Sequence, residues 1–152
     1  MNIREFLTRE NIAFETIPHR PTFTASRLAE AVDERGDFVA KPVVLKADGK
    51  FVLAVLPASH KVDMLLARAA IGCEVLEIAD EKELESLFPD CELGAMPPFG
   101  SFYGLKTWVD AQLAEDDHIV FEGQSHEEAI RLSYSSYQSV EAPLVAYISH
   151  HI

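Results

Sequence analysis

A chain of 152 residues, 48% of them apolar, is long enough to bury a core as one domain without disulfide or metal staples. Its net charge of −12 disfavours broad binding to nucleic acid, DNA included, because such binding depends on Lys and Arg neutralising phosphates. Residues 1–68 carry ten Lys and Arg against nine Asp and Glu and residues 69–152 carry three against sixteen, so a phosphate-bearing partner is expected to contact the first half.

A short helix and then a strand are predicted at the start of the chain. Asn2 and Glu5 have the spacing of a capping box, and the helix is expected to end near residue 11. Residues 12–17 alternate well enough between apolar and polar side chains to predict a strand. The two prolines of Pro18-His19-Arg20-Pro21 are expected to end it.

A β-hairpin is predicted to form the centre of the sheet. It follows a helix over residues 24–32, for which Thr24 is a candidate cap. Residues 39–46 and 51–56 are rich in β-forming side chains, and the Asp48-Gly49 turn between them supplies the positive φ that a tight hairpin requires. In the second run the residues at both odd and even positions are apolar, which predicts a strand buried on both faces of the sheet.

Lys41 is expected near the N-terminal end of the first hairpin strand. Side-chain alternation places it in the same row as Val43 and Leu45 and places Lys46 on the opposite face. One lysine can therefore lie beside a pocket while the other meets solvent. Pro42 donates no backbone hydrogen bond, so it is expected at the first ladder position or on an unpaired side.

Helices and strands alternate through the rest of the predicted chain. Pro57-Ala58-Ser59-His60 leads into a helix that Gly72 ends, with its apolar face formed by Val62, Leu65, Leu66 and Ala69. The later elements are a strand at 75–78, a helix from Asp80 to Pro89, strands at 107–110, 118–121 and 129–134, a short helix at 135–140 and an apolar tail at 144–148 that docks on the body. The loop 94–101 contains two prolines and two glycines, which exclude helix and ladder. We predict an α/β (α+β) fold, with residues 1–152 as a single domain and a mixed central sheet surrounded by helices.

The sequence contains no strong metal or nucleophile motif. Cys73 and Cys91 match no metal spacing and are expected to be packing residues, and the six histidines include no pair four residues apart. Residues 1–10 are charged rather than signal-like, and the apolar runs are well short of the ~20 residues of a membrane helix. We expect a cytoplasmic protein with no metal, cofactor or membrane partner.

A set of loop and strand-end residues remains as the candidate site: His19, Thr22, Thr24, Lys41, the loop from Gly94 to Ser101, Gly123, Ser125 and His126. Each has a simpler structural interpretation. His19 can end a strand, Lys41 can be a solvated edge lysine, Ser125-x-x-Glu128 can be a capping box and the proline loop can be rigid packing.

The order of these residues resembles the YbaK/EbsC type of aminoacyl-tRNA editing domain, which also occurs inserted in bacterial prolyl-tRNA synthetases and as free-standing deacylases. The motifs that carry the resemblance are His19-Arg20-Pro21-Thr22-Phe23-Thr24, Val39-Ala40-Lys41, Lys61-Val62-Asp63 and Gly94-Ala95-Met96-Pro97-Pro98-Phe99-Gly100. In that family the lysine at the position of Lys41 is the residue most closely tied to activity. The family usually has a small polar residue after this lysine, where this chain has Pro42.

The resemblance implies a trans-editing hydrolase that deacylates mischarged tRNA at its 3′ end, either alone or with an aminoacyl-tRNA synthetase as partner. Lys41 would contact the phosphate or carbonyl, N–H groups around Gly100 would stabilise the oxyanion, and the free 2′-hydroxyl of the tRNA would orient the water. His126 is either a general base or a specificity residue, and we favour specificity. The expected substrate-binding residues are His19, Thr22, Thr24, Gly94, Met96, Pro98, Phe99, Gly100, Gly123, Ser125 and His126.

A pocket lined by Met96, Pro98 and Phe99 would be small and apolar, so alanine, serine and threonine are the expected rejected amino acids. The alternative function is a non-catalytic module of the same fold. It would bind an aminoacyl or nucleotide ligand and associate with a synthetase.

Overall fold

The computed structural model describes residues 2–152, which form five α-helices and ten strands. The helices are α1 Ile3–Arg9, α2 Ala25–Ala31, α3 Met64–Ile71, α4 Glu81–Leu87 and α5 Tyr134–Glu141. The strands are β1 Glu15–Pro18, β2 Ala40–Ala47, β3 Lys50–Pro57, β4 His60–Val62, β5 Leu76–Ile78, β6 Lys106–Asp110, β7 His118–Glu122, β8 Glu128–Ser133, β9 Leu144–Ala146 and β10 Ser149–His151. No helix among these residues is long and apolar enough to cross a lipid bilayer.

A mixed five-stranded sheet in the order β5-β2-β3-β6-β9 forms the centre of the fold. β2 and β3 are antiparallel, whereas β3 pairs with β6, and β6 with β9, in parallel. The predicted α/β fold with a mixed central sheet is therefore confirmed. Two smaller antiparallel sheets, β1-β8-β7 and β4-β10, were not predicted as separate sheets.

The predicted hairpin is confirmed, with β3 as the middle strand of the central sheet. Asp48 and Gly49 both adopt positive φ, at +48° and +84°, so the turn is of the kind that suits twisted strands. β3 is buried from Val52 to its end, as its unbroken apolar sequence predicted. The ladder between β2 and β5 begins only at Leu45, so Pro42 has no strand beside it on that edge.

Helices α1 and α5 pack with the proline loop and strands β6 to β8 into the main core. Ile3 and Leu7 are completely buried there, together with Phe99 and Tyr137. The helix α2 packs separately through Leu28 and Ala29 against Val39 and Val120, and Val39, the residue before β2, also forms an isolated parallel bridge with Val120 of β7. This second cluster positions α2 beside the start of β2.

The prediction for residues 60–72 was wrong in two respects. His60–Val62 form β4, which pairs with β10, and the helix begins only at Met64 after Asp63 accepts hydrogen bonds from two backbone N–H groups of its first turn. Leu65 is 72% exposed, and the inward-facing residue of α3 is Ala67. The strand partner lies at the other end of the chain, so local periodicity gave no sign of it; the C-cap at Gly72, with φ +79°, is as predicted.

The first strand is displaced from its predicted position at 12–17 and runs over Glu15–Pro18. Pro18 lies in the ladder opposite Glu128, because β1 is an edge strand where a missing N–H is tolerated. Glu128 begins β8, so the capping-box interpretation of Ser125-x-x-Glu128 is wrong. The apolar tail docks as β9 on β6, as expected.

Candidate functional site

A cavity of about 230 Å³ lies where α2, the start of β2, the proline loop and the end of β7 meet. Its lining residues are Phe23, Thr24, Ala25, Leu28, Ala40, Lys41, Pro42, Gly94, Met96 and Glu122. Most of these side chains are apolar, and Lys41 and Glu122 supply the charges. The volume is below the roughly 300–1,000 Å³ of sites for drug-sized ligands, so the cavity suits a small group.

Lys41 contributes a half-buried cation to the cavity. Its ammonium donates a hydrogen bond to the carbonyl of His60 at the start of β4, and it forms no ion pair with any of residues 2–152. Burial lowers the pKa of Lys41, because desolvation disfavours the charged form. Lys46, on the opposite face of β2, instead pairs with Glu83 across 2.6 Å.

The proline loop is held against the turn that follows β7. Gly94 has φ +84°, a conformation that favours glycine, and a side chain there would point toward the ring of His126. The backbone N–H of Gln124 donates to Ala95 O at 3.0 Å, and Glu92 N–H donates to Gln124 O at 3.0 Å. These bonds fix the Gly94 side of the loop at the cavity.

The buried side chain of Gln124 makes further hydrogen bonds between the turn after β7 and neighbouring segments. Its Nε2 donates to Asp90 Oδ2 at 3.0 Å and to the hydroxyl of Tyr103 at 2.9 Å. Its Oε1 accepts the backbone N–H of Ile3 at 2.9 Å. One amide thus ties the turn to the acidic segment before the loop and to α1.

Glu122, Thr22 and His126 form a buried polar group at the cavity wall. Glu122 Oε2 lies 2.9 Å from His126 Nδ1, and Thr22 Oγ1 lies 3.4 Å from Glu122 Oε1. His126 is further held by Leu93 O, 2.7 Å from its Nε2, and by the ring of Phe23, whose centroid is 4.8 Å away. Because a carbonyl oxygen only accepts, Nε2 carries a hydrogen and Nδ1 faces the carboxyl group.

Burial raises the pKa of the Glu122 carboxyl to about 7, and the nearby charge of Glu92 acts in the same direction. The imidazole of His126 and the hydroxyl of Thr22 lower it, but by less. The Glu122 carboxyl therefore changes protonation near neutral pH, which is typical of groups at functional sites.

The remaining part of the proline loop lies in the core rather than at the cavity. Phe99 is fully buried against the rings of Phe121 and Tyr137, and the carbonyl of Pro98 accepts the Tyr137 hydroxyl at 2.6 Å. The N–H of Gly100 donates to Thr107 Oγ1 at 2.9 Å. That N–H is consequently occupied and is not free to stabilise an oxyanion.

The structure brings about half of the sequence-predicted residues together. Thr24, Lys41, Gly94 and Met96 line the cavity, and Thr22 and His126 contact its Glu122. The other predicted residues are absent from the lining: His19, Pro98, Phe99, Gly100, Gly123 and Ser125. Among residues 2–152 no three His, Cys, Asp or Glu side chains are grouped as a metal-binding set.

The aminoacyl-tRNA editing domain model matches residues 19–140, a span that includes every residue lining the cavity. This chain belongs to the aminoacyl-tRNA editing domain family.

Sequence relatives of this editing domain include two proline–tRNA ligases. The ligase of Staphylococcus saprophyticus is 32% identical over 74 residues, which is 49% of this chain and 12% of the ligase. That of Bacillus cytotoxicus is 35% identical over 74 residues, or 49% of this chain and 13% of the ligase. The editing domain thus corresponds to a small part of each ligase.

Solved structures share the fold over nearly the whole chain. A hypothetical protein, APE2540, superposes with a TM-score of 0.87 at 16% identity, covering 97% of this chain and 99% of that one. A candidate trans-editing enzyme for prolyl-tRNA synthetase gives 0.79 at 20% identity, covering 90% and 87%. At these identities the likeness establishes the fold.

Sequence reasoning missed Glu122 and Phe23 as lining residues of the editing domain. Glu122 ends the apolar strand β7, and in an isolated sequence a charge at a strand end indicates the return to solvent. The sequence signal that could have identified Glu122 is its position four residues before His126, across a turn that contains glycine. Phe23 lies within the His19–Thr24 motif but was not predicted as a site residue; its side chain is 75% exposed and covers the ring of His126.

Proposed function

We propose that the chain is a trans-editing hydrolase that deacylates mischarged aminoacyl-tRNA carrying a small amino acid. The observation that carries this proposal is the small cavity in which a half-buried Lys41, without an ion pair among residues 2–152, lies beside Gly94 and Met96. Membership of the editing family supports the reaction class, and the relatedness to proline–tRNA ligases makes mischarged tRNA for proline the first substrate to test.

The proposed chemistry uses groups of the chain and of the substrate, with no metal or cofactor. Ester hydrolysis needs a positioned water, stabilisation of the developing oxyanion and a grip on the terminal nucleotide. Lys41 is the group we assign to the carbonyl oxygen or the terminal phosphate. On substrate binding, its ammonium would exchange the His60 carbonyl for a negatively charged acceptor, which makes a stronger hydrogen bond.

The 2′-hydroxyl of the tRNA is the proposed group for orienting the water. We place Gly100 outside the oxyanion site, because its N–H is already bonded to Thr107. His126 is proposed as a specificity residue rather than a base. Its ring is fixed between Leu93 and Phe23 and faces Glu122, so it shapes the wall.

The cavity size supports selection of a small side chain. A synthetase discriminates poorly against an amino acid that differs by one methyl group or less, and a second, smaller site corrects the error. Alanine, serine and threonine are therefore the proposed rejected amino acids.

The second candidate function is a non-catalytic module that binds an aminoacyl or nucleotide ligand and associates with a synthetase. Pro42 and the acidic second half of the chain favour it. Pro42 lines the cavity directly after Lys41, where it offers an apolar ring and no donor.

Deacylation of tRNAs charged with alanine, serine, threonine or cysteine, tRNA for proline among them, separates these two functions. Lys41→Ala should lower the rate on the preferred substrate by about 100-fold or more, the usual effect of removing one oxyanion-stabilising donor. Lys46→Ala is the matched control, since Lys46 lies on the other face of β2, and should leave the rate nearly unchanged.

Normal turnover by Lys41→Ala would remove this lysine from the mechanism. Failure of the folded wild-type protein to release any of the four amino acids would favour the binding module.

A further inference from the structure

Glu122 is a buried carboxyl group in the cavity wall, and its contacts with neighbouring side chains are weak or poorly aligned. The residue is 9% exposed, and its Oε1 has a long contact of 3.4 Å with the hydroxyl of Thr22. Its Oε2 approaches His126 Nδ1 to 2.9 Å, but among residues 2–152 neither atom completes a hydrogen bond of ordinary geometry. Buried polar atoms are nearly always hydrogen-bonded, so this carboxyl group retains the capacity to accept a hydrogen bond from a donor that enters the cavity.

The surroundings hold this carboxylate in place. His126 is itself fixed from three sides, by Leu93 O on Nε2, by Glu92 Oε1 accepting its backbone N–H at 3.0 Å, and by the Phe23 ring. The backbone of Thr22 is tied to the same turn, with its N–H 3.1 Å from His126 O. A group that enters the cavity therefore meets a preorganised acceptor.

We propose that Glu122 receives the α-ammonium group of the aminoacyl ester. This inference rests on the proposed function. An aminoacyl ester with a small side chain carries one cation, the α-ammonium, directly beside the ester carbonyl. The cavity provides one carboxylate and one ammonium in its lining, Glu122 and Lys41, so the two charged ends of the substrate have complementary partners. Ammonium–carboxylate hydrogen bonds are among the strong ones in proteins, and burial strengthens them further.

This arrangement makes the free amino group a condition for recognition. An ester whose amine is acylated, as in peptidyl-tRNA, has no charge there and adds bulk, so it would offer the Glu122 carboxylate no cation. Such a ligand covers the carboxylate without forming an ion pair in return, so we expect it to bind more weakly. The domain should therefore spare N-blocked tRNAs while it acts on aminoacyl-tRNA.

Binding to non-hydrolysable tRNA tests the proposal without depending on catalysis. The probe is tRNA for proline with alanine attached through an amide at its 3′ end, compared with the same tRNA carrying N-acetylalanine or propionate. Wild type should bind the free amine at least tenfold more tightly than either analogue. Glu122→Gln should lose about tenfold on the free amine and little on the propionyl tRNA. Glu127→Gln, on the exposed part of the same turn, is the matched control and should change neither.

Equal binding of all three tRNAs by the wild type, or no binding of any, would overturn the assignment of Glu122. An equal loss by Glu122→Gln on the alanyl and propionyl probes would also overturn it, because the role would then be structural. If the variant unfolds, the wild-type comparison still tests the proposal, because a protein that does not prefer the free amine has no ammonium site at Glu122. Amine-selective binding without any hydrolysis of the corresponding ester would leave Glu122 in its role and refute the deacylase activity instead.

Discussion

At the scale of single residues, the raised pKa of Glu122 has a consequence for stability. The folded pKa of about 7 exceeds the ordinary value of 4.5 because of burial. The nearby imidazole of His126 lowers this pKa by less, and Glu92 and Lys41 are the other ionisable groups around the carboxyl. Between these two values the folded state binds a proton that the unfolded state has released. The free energy of unfolding contributed by Glu122 is therefore full below about pH 4.5 and is lost as the pH rises through about 7.

Glu122→Gln removes this titration. The free energy of unfolding of the variant, relative to the wild type, should rise between about pH 4.5 and pH 7 and stay level above that. Urea denaturation at several pH values measures this difference, with Glu127→Gln as the control. A difference that is constant across the range would show that Glu122 is not protonated in the folded state.

Gly100 is required by packing. An added Cβ would lie 2.3 Å from Thr107 Oγ1 and 2.9 Å from Leu105 O, so the buried hydroxyl would have to move. Gly100→Ala should destabilise the fold by about 1–3 kcal/mol, the usual cost of overpacking. Gly36→Ala is the control, since its nearest neighbour would be at an ordinary 3.6 Å. Urea denaturation compares the two, and equal, small effects would contradict the packing role.

The candidate site was partly predictable at this scale. Lys41 and Gly94 were predictable because the order of their motifs resembles the editing family, although each residue alone has a simpler structural interpretation. Glu122 does not stand out, since its burial depends on Thr22 and His126, which approach it only after β1, β7 and β8 pair. Pro98 and Phe99 were expected at the pocket, but the loop turns them toward α5.

At the scale of elements, α5 anchors the proline loop to the core. The Tyr137 hydroxyl donates to Pro98 O at 2.6 Å, and Glu141 accepts from Ser101 N–H at 3.0 Å and from Thr107 Oγ1 at 2.6 Å. Proline supplies no N–H, so the loop relies on bonds to its carbonyls and to the residues that follow. Disturbing α5 should therefore loosen the loop.

Tyr137→Phe removes only the hydroxyl group that donates to Pro98 O, so it tests whether this hydrogen bond holds the proline loop. The variant leaves the buried Pro98 carbonyl without its donor, which should cost about 1–3 kcal/mol of stability. Tyr147→Phe is the control because Tyr147 is 61% exposed. Amide hydrogen exchange on residues 94–104 should increase in Tyr137→Phe alone. Unchanged exchange would show that the loop is held by Glu141.

Elements with strong local signals were predicted from sequence, and those made by distant pairing were not. The hairpin combines β-rich strands with a glycine turn, and α4 has a complete capping box at Asp80 and Glu83, so both are encoded within a few neighbouring residues. β4 has three residues and pairs with β10 at the far end of the chain. The apolar face predicted for α3 was wrong because that helix buries alanine, Ala67, and leaves Leu65 outside.

At the scale of the whole molecule, the uneven charge constrains how an acidic polymer approaches. Residues 69–152 hold three Lys and Arg against sixteen Asp and Glu, and would repel tRNA. The α2 and β2 sides of the cavity belong to the nearly neutral first half. We therefore expect tRNA to contact the surface around α2 and to avoid the second half.

Arg20 and Arg27 are the exposed cations nearest in sequence to the lining segment Phe23–Ala25. Each phosphate contact made by such a side chain contributes about 0.7 to the slope of log affinity against log salt for single-stranded nucleic acid. The double variant Arg20→Gln, Arg27→Gln should therefore weaken tRNA binding at low salt and flatten that slope by about 1–1.5.

Binding of the amide-linked tRNA at several salt concentrations measures both the affinity and the slope. Arg68→Gln is the control, because Arg68 is an exposed residue of α3, a helix that packs through Ala67 against the central sheet near Leu45 and Leu56 rather than beside α2. If Arg68→Gln reduces the salt slope equally, the tRNA phosphates contact another surface. If the double variant changes neither the affinity nor the slope, the cavity binds the aminoacyl end with little contribution from the tRNA backbone.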